Sequence, residues 1–324
     1  MRKAGQRLSS VVVITGGSSG IGRCTAMVFA RAGWRVGLIA RGAAGLADAA
    51  QEVRGLGAQA ALAVADVTDS AALEGAAKAL EAALGPIDVW INAAGNGVYG
   101  RFTEVPEDEF RQVTEVTYLG TVNGTRVALA GMRARGRGTI VNVCSGVVFH
   151  GLPLMTSYSG AKAAVRSFGQ ALRIELAFER SRVRLSTVFP PAVNTPFFAH
   201  AITHMGWPAR PVPPVYQPDV IARAIFLAAR TGRPEMTISG TVACFALLSR
   251  LAPVWTGAVI RRIGIEAQRA RGRPGAANGR AEPTVFAPSD EASGAYGTFG
   301  RHARRWSLQM ALRHLFNRLP GAGD

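Results

Sequence analysis

The chain has 324 residues, is 48% hydrophobic and contains three cysteines, Cys24, Cys144 and Cys244, far apart and without a Cys-x-x-Cys pair. That length and apolar content can bury a full core, while the sparse cysteines exclude a disulfide scaffold and fit a reducing compartment. The net charge of +16 comes mostly from arginine scattered along the chain, since only Lys3, Lys78 and Lys162 are lysines, and without a basic recognition motif no nucleic-acid partner is expected.

After the basic Met1-Arg2-Lys3, the apolar run Val11-Val12-Val13-Ile14 is too short for a signal-peptide core, so a cytoplasmic protein is expected. Val11–Thr15 reads as a buried strand, followed by Gly16-Gly17-Ser18-Ser19-Gly20-Ile21-Gly22 and a helix through Ala32. Val36–Ala40 is a second strand, with an alanine-rich helix to about Arg54, and Ala60–Ala65 a third, ending at Asp66. Helix Ser70–Leu84 precedes strand Ile87–Ile91, which runs into Asn92-Ala93-Ala94-Gly95. A long helical region from Pro106 to Arg133, strand Thr139–Val143, helix Ser157–Phe178 and strand Arg184–Phe189 follow, then helix Pro218–Ala229 and a last strand, Glu235–Ile238. Short apolar strands alternating with helices predict an α/β fold with a doubly wound, mostly parallel sheet (a Rossmann-type arrangement) over residues 1–240. Ligands of such sheets bind beyond the carboxyl ends of the strands. Thr15, Ala40, Asp66, Asn92, Ser145 and Pro190 all fall at those ends.

Gly16, Gly20 and Gly22 sit between a strand and a helix, where they permit a tight turn and leave free N–H groups suited to a phosphate. The second strand ends in Ala40-Arg41, with no carboxylate to accept a ribose 2′-hydroxyl. A cation there suits a 2′-phosphate, which favours NADP(H) over NAD(H); the alternative is an ordinary surface arginine. Tyr158 and Lys162 are spaced i, i+4 on one helix face. An ammonium one turn away is expected to pull a phenol below its ordinary pKa of about 10. Ser145, after the preceding strand, supplies a hydroxyl that can orient a carbonyl or alcohol oxygen.

Together these residues resemble the short-chain dehydrogenase/reductase family over roughly residues 8–240. Thr15-Gly16-Gly17-Ser18-Ser19-Gly20-Ile21-Gly22 is similar to its cofactor turn, Asp66-Val67 to the pair that holds the adenine, and Asn92-Ala93-Ala94-Gly95 to the segment along the cofactor. Ser145, Tyr158 and Lys162 match the catalytic set, and Thr195, after Pro190, matches the threonine that touches the nicotinamide carboxamide. The resemblance implies reversible hydride transfer between a nicotinamide cofactor and a carbonyl/alcohol pair, with Tyr158 as general acid/base, and a homo-oligomer. Two positions depart from the pattern: Thr117 stands where an asparagine usually holds a relay water, and Pro190-Pro191 replaces Pro-Gly.

Between Thr195 and Pro218, Phe197, Phe198, Ile202, Met205, Trp207 and Tyr216 occur among Pro196, Pro208, Pro211, Pro213 and Pro214. They read either as a lid over an apolar substrate or as core packing. His200 and His204 are spaced i, i+4 but lack an evident third ligand, so no metal is expected.

Residues 241–324 read as an extension: an apolar segment, Thr241–Ile260, then a Gly/Ala/Pro/Arg-rich linker from Gly264 to Gly300. An amphipathic helix, Arg301–Leu319, would follow, with Leu308, Leu312, Leu315 and Leu319 on one stripe and a basic remainder. It fits either docking on protein or peripheral contact with the inner face of a membrane. The expected protein is an NADP(H)-dependent oxidoreductase of apolar carbonyls or alcohols. The second reading is a non-catalytic nucleotide-sensing or membrane-tethered protein on the same fold.

Overall fold

The computed structural model describes residues 10–270, 284–288 and 294–316. Its centre is a seven-stranded parallel sheet: β1 Val11–Thr15, β2 Arg35–Ala40, β3 Ala60–Val64, β4 Ile87–Asn92, β5 Gly138–Val143, β6 Val183–Phe189 and β7 Glu235–Thr237. The spatial order is β7-β6-β5-β4-β1-β2-β3, so the chain reverses direction of growth between β1 and β4. A crevice at that switch point is where a doubly wound sheet takes its ligand.

The strands are apolar on both faces because both are covered. Val12, Ile14, Val36 and Leu38 pack with Phe29, Leu46 and Ile225 on one side. Val11, Val13 and Ile39 pack with Leu73, Leu80 and Met132 on the other. The first layer is formed by α1 Gly20–Arg31, α2 Ala43–Gly55 and α7 Pro218–Thr231. The second is formed by α3 Ser70–Leu84, α5 Gly120–Ala134 and α6 Thr156–Phe178. The single long helix expected over Pro106–Arg133 is α4 Glu107–Thr114 and α5 joined by a π-helical turn, Glu115–Leu119. Such turns concentrate at functional sites, and this one carries Thr117.

The extension departs from expectation in three places. The apolar segment continues as two helices, α8 Gly240–Leu251 and α9 Pro253–Gln268, because Ser239 caps the first and Pro253 opens the second. Residues 264–268 are therefore helical rather than linker. Parts of the supposed linker, residues 284–288 and 294–299, lie against the carboxyl edge of the sheet.

The last helix, α10 Leu308–Phe316, begins later than expected, because Arg304 is extended and pairs its backbone with Val215 and Gln217. It docks through Ser307, whose hydroxyl donates to the Ile238 carbonyl (2.7 Å), and through the buried Met310. Leu308 and Leu312 of the expected stripe are not on the docking face, being 63% and 46% exposed. The Leu315 side chain and Leu319 lie outside the described residues. Among the described residues, no helix is long and apolar enough to cross a membrane.

Candidate active site

The glycine turn is dictated by space. Gly16 has φ +68°, and a Cβ there would come within 2.8 Å of the Ala94 backbone. Gly20 has φ +52° and faces Thr195, where a Cβ would meet the threonine side chain at 3.3 Å. Both are left-handed conformations that favour glycine. The turn is pinned to the neighbouring strand by Thr15, whose Oγ1 donates to Ile91 O (3.4 Å) and accepts from Ala93 N (3.3 Å). Asn92 is buried at the centre of a polar knot. Its Nδ2 donates to Asn142 Oδ1 (2.8 Å) and Thr125 Oγ1 (3.0 Å), and its Oδ1 accepts from Trp90 Nε1 (2.8 Å). This network holds Ala93 and Gly95 beside the turn.

At the other end of the crevice, Arg41 leaves β2 and lies 3.6 Å from Asp66 Oδ2. Asp66 Oδ1 accepts from both the backbone and the hydroxyl of Thr68, each at 2.9 Å. Val67 is buried against Gly120. Arg41, Asp66, Val67, Ser18 and Ser19 border a cavity of about 150 Å³. The guanidinium also donates to two carbonyls of the extension, Thr284 O (2.7 Å) and Phe286 O (2.8 Å). Nothing in the sequence pointed to those two residues.

Ser145, Tyr158 and Lys162 meet on one wall of a larger cavity of about 540 Å³ that also reaches Gly16, Ser19, Gly20 and Ile21. Ser145 follows β5 and caps a short 3-10 turn, accepting from Val147 N at 3.3 Å. Its hydroxyl hydrogen-bonds Tyr158. Lys162 is buried, donates to Val143 O at 2.7 Å, and sits 5.6 Å from the centre of the Tyr158 ring.

The expected depression of the tyrosine pKa is not found: burial raises it, reinforced by Cys144, and the Ser145 hydrogen bond opposes this only in part. Burial also lowers Lys162, weakening the ammonium that was to favour a phenolate. Tyr158 therefore keeps its proton at neutral pH. Thr117 Oγ1 donates to Asn96 O at 3.4 Å, and both Thr117 Oγ1 and Lys162 Nζ border Gly95.

The remaining walls are apolar. Phe197 packs on the Tyr158 ring, centroids 5.5 Å apart, and Phe197, Phe198 and Met205 join Tyr99 and Met155 in one cluster. The loop after Thr195 thus packs on the domain and lines the cavity at once. His204 is held by Glu109 at 2.7 Å. Among the described residues, no three His, Cys, Asp or Glu side chains gather as a metal site would need. The opposite wall comes from α8 and α9, through Val242, Phe245, Ile260 and Ile263. Gln268, donating to Pro153 O at 2.9 Å, ties α9 to the loop before α6.

A doubly wound sheet with a glycine turn and a Ser–Tyr–Lys set on one cavity defines a nucleotide-dependent oxidoreductase. A family model described as short chain dehydrogenase matches residues 10–205. The chain belongs to that family and is an enzyme acting on carbonyl or alcohol groups with a nicotinamide cofactor.

It is 30% identical over 278 residues to an uncharacterized oxidoreductase, YxnA, of Bacillus subtilis (strain 168), covering 85% of this chain and 77% of that one. It is 37% identical over 193 residues to the 3-dehydrosphinganine reductase of Danio rerio, covering 58% of each chain. The chain thus spans little more than half the length of that reductase. An actinorhodin polyketide ketoreductase solved with NADPH has a TM-score of 0.66 and 29% identity, covering 72% of this chain and 97% of its own. An alcohol dehydrogenase from Thermococcus sibiricus complexed with 5-hydroxy-NADP has a TM-score of 0.61 and 28% identity, covering 71% and 95%.

Proposed function

We propose that the protein is an NADP(H)-dependent oxidoreductase that interconverts a carbonyl and a primary or secondary alcohol on an apolar substrate, with Tyr158 as the acid/base group. The observation that carries this reading is the shared cavity: Ser145, Tyr158 and Lys162 border the same space as the glycine turn. The residues present fit a nicotinamide dinucleotide. The glycine turn borders the cavity with Gly16, Ser19, Gly20 and Ile21, and Asn96 Oδ1 is buried in the crevice without a hydrogen-bond partner.

When bound, the nicotinamide supplies or accepts the hydride. Tyr158 donates the proton to the substrate oxygen in the reducing direction, a role its raised pKa suits because the phenol is fully protonated at neutral pH. Ser145 hydrogen-bonds the same oxygen and stabilises developing negative charge. Lys162, beside Gly95, is placed to hold the ribose hydroxyls and to replace the proton that Tyr158 gives up. Thr195, Ala93 and Gly95 border the nicotinamide end, while Arg41 in place of a carboxylate favours the 2′-phosphate of NADP(H). The likeness to a 3-dehydrosphinganine reductase and to a ketoreductase supports a keto substrate. The apolar walls formed by Phe197, Phe198, Phe245 and Ile260 support an apolar one.

The test is a fluorescence titration with NADPH and NADH of wild type, Arg41→Ala and Tyr158→Phe. NADPH binding that weakens selectively in Arg41→Ala, with binding but no turnover in Tyr158→Phe, is expected. Binding of neither nucleotide to wild type defeats the reading.

Peripheral contact with an anionic membrane, expected of the C-terminal helix α10, is proposed instead for α8 and α9. Cys244, Leu247, Leu248 and Leu251 form one exposed stripe on α8, and Val254, Trp255 and Ile265 share an exposed face of α9 with Arg261 and Arg262. Apolar side chains interleaved with arginines suit the headgroup boundary, and the inner side of the same helices lines the cavity. Sedimentation with phosphatidylglycerol vesicles that is lost in Leu251→Gln/Trp255→Ser supports the contact; no sedimentation of wild type removes it. Homo-oligomerisation is proposed through α6, where Ile174 is 72% and Phe178 90% exposed; equilibrium sedimentation of Phe178→Glu tests it.

A further inference from the structure

We propose that residues Thr284–Pro288 and Gly294–Phe299 form a clasp that closes over the cofactor and fixes Arg41 for a 2′-phosphate. The inference rests on the NADP(H) reading and assigns a role to a part of the chain outside the matched 10–205 region.

The first span is riveted by one buried residue. Val285 is 0% exposed, packed with Val98 and Val113. Its carbonyl accepts from Asn96 Nδ2 (3.2 Å) and Gln112 Nε2 (3.3 Å). Thr284 N donates to His200 O at 3.0 Å, which joins the span to the loop that carries Phe197. Thr284 lines both the 540 Å³ and the 150 Å³ cavities, so the span crosses where the two halves of the crevice meet.

The second span returns along the glycine turn. Gly20 N donates to Gly294 O (2.8 Å), and the Tyr296 hydroxyl donates to Asp219 Oδ2 (2.9 Å). Phe299 N donates to Asn194 Oδ1 (2.8 Å). Gly297 lies flat on Thr195, where a Cβ would meet the Thr195 carbonyl oxygen at 2.5 Å. The two spans therefore touch the glycine turn, Asn96, Arg41 and Thr195, which belong to four separate segments of the expected cofactor site.

Arg41 shows what this accomplishes. A free arginine on the rim of a crevice samples many rotamers. Here its two terminal nitrogens each donate to a clasp carbonyl, which fixes the plane of the guanidinium. Thr284 and Phe286 are neutral acceptors; Asp66 pairs with the guanidinium at 3.6 Å and offsets part of its charge, and the N–H groups not turned to the clasp are what a 2′-phosphate at the border of the 150 Å³ cavity would take. Thr284 and Phe286 are thus positioning residues acting through Arg41 by their backbone, and Val285 holds them in place.

The experiment uses the full chain with Val285→Asp, which puts a carboxylate into the buried socket, and Gly297→Val, which collides with the Thr195 backbone. NADPH and NADH dissociation constants are measured by fluorescence titration and release rates by stopped flow, with thermal melting to check the fold. Each variant is expected to raise the NADPH constant about tenfold and speed its release. For Val285→Asp the NADH constant should change no more than about threefold, so that discrimination falls toward that of Arg41→Ala, whereas Gly297→Val, which presses on Thr195, should weaken both nucleotides. NADPH should also slow hydrogen exchange over 284–288 in wild type. If Val285→Asp fails to fold, Gly297→Val carries the test, since that position is partly exposed. NADPH binding unchanged in folded variants overturns the clasp. So does tighter binding, which would mean that the segment blocks the crevice. Wild type that binds neither nucleotide defeats the NADP(H) reading itself, a different result from wild type that binds and variants that bind equally well.

Discussion

The two ends of the crevice are built in different ways. At one end, Ser145, Tyr158 and Lys162 come from one strand–helix unit, β5 and α6, and are held by backbone groups of the same unit, as in the contact of Lys162 Nζ with Val143 O. At the other, Arg41 is held by carbonyls 243 and 245 positions away in the chain. Under the proposed function the first is the catalytic end, set by local geometry, and the second the adenosine end, set by a long-range contact. Substitutions at the first end should change rates, and substitutions at the second affinity and order.

The largest expected effect is at the catalytic end. Tyr158→Phe removes the proton donor and should lower kcat by about 10²–10⁴-fold while leaving the NADPH dissociation constant within about threefold. Steady-state kinetics beside a binding titration checks this, and retained turnover breaks the assignment. Next is the knot beneath that end. Asn92→Ala strands Trp90 Nε1 and the Asn142 and Thr125 partners in a buried setting, and should destabilise the domain by about 3 kcal/mol. Urea unfolding is the measurement, and a loss below about 1 kcal/mol would mean that water replaces the amide.

At the extension, Met310→Asp should undock α10 rather than force a carboxylate into the core. The loss is then limited to the methionine burial, about 2 kcal/mol, with kcat little changed. A large fall in kcat would show that the extension and the catalytic end are more tightly coupled than the contacts suggest.

The last effect is a slope with pH. Burial raises Cys144 from 9.0 to about 11, so between those values the unfolded thiol loses its proton before the folded one. The unfolded state then binds fewer protons and stability falls as pH rises, by about 1.4 kcal/mol per pH unit for this group. Tyr158 and Tyr99, also raised by burial, steepen the decline above pH 10. Lys162, lowered by burial, acts oppositely below its ordinary 10.5, where stability rises with pH. Urea midpoints from pH 8 to 11 should fall overall, and less steeply in Cys144→Ala.

Much of this protein is legible one residue at a time. Helix Ser70–Leu84 lies where its pattern placed it, and each sheet strand differs from its predicted bounds by no more than a residue at either end. Apolar β-branched runs and alanine-rich amphipathic stretches carry strong local signals. The glycine turn was equally readable, because positive φ at Gly16 and Gly20 and close backbone contact at Gly16 and Gly22 favour glycine.

Three features were not readable. The direction of the Tyr158 pKa depended on how deeply the fold buries it beside Lys162, which i, i+4 spacing does not report. Leu308 and Leu312 of α10 face solvent because Ser307 and Met310 made the better fit to β7 and its flanks. The clasp holds Arg41 through backbone carbonyls, which every residue possesses, within a stretch whose Gly, Ala and Pro content gives no periodicity.

The sequence by itself determined the strand order of events along the chain, the cofactor turn and the Ser–Tyr–Lys set, because those rest on residue type and short spacing. Tertiary structure alone decided the protonation of Tyr158, the apolar wall contributed by α8 and α9, and the contact of the extension with Arg41. These depend on burial and on backbone groups meeting across more than two hundred residues, and neither is written in side-chain chemistry.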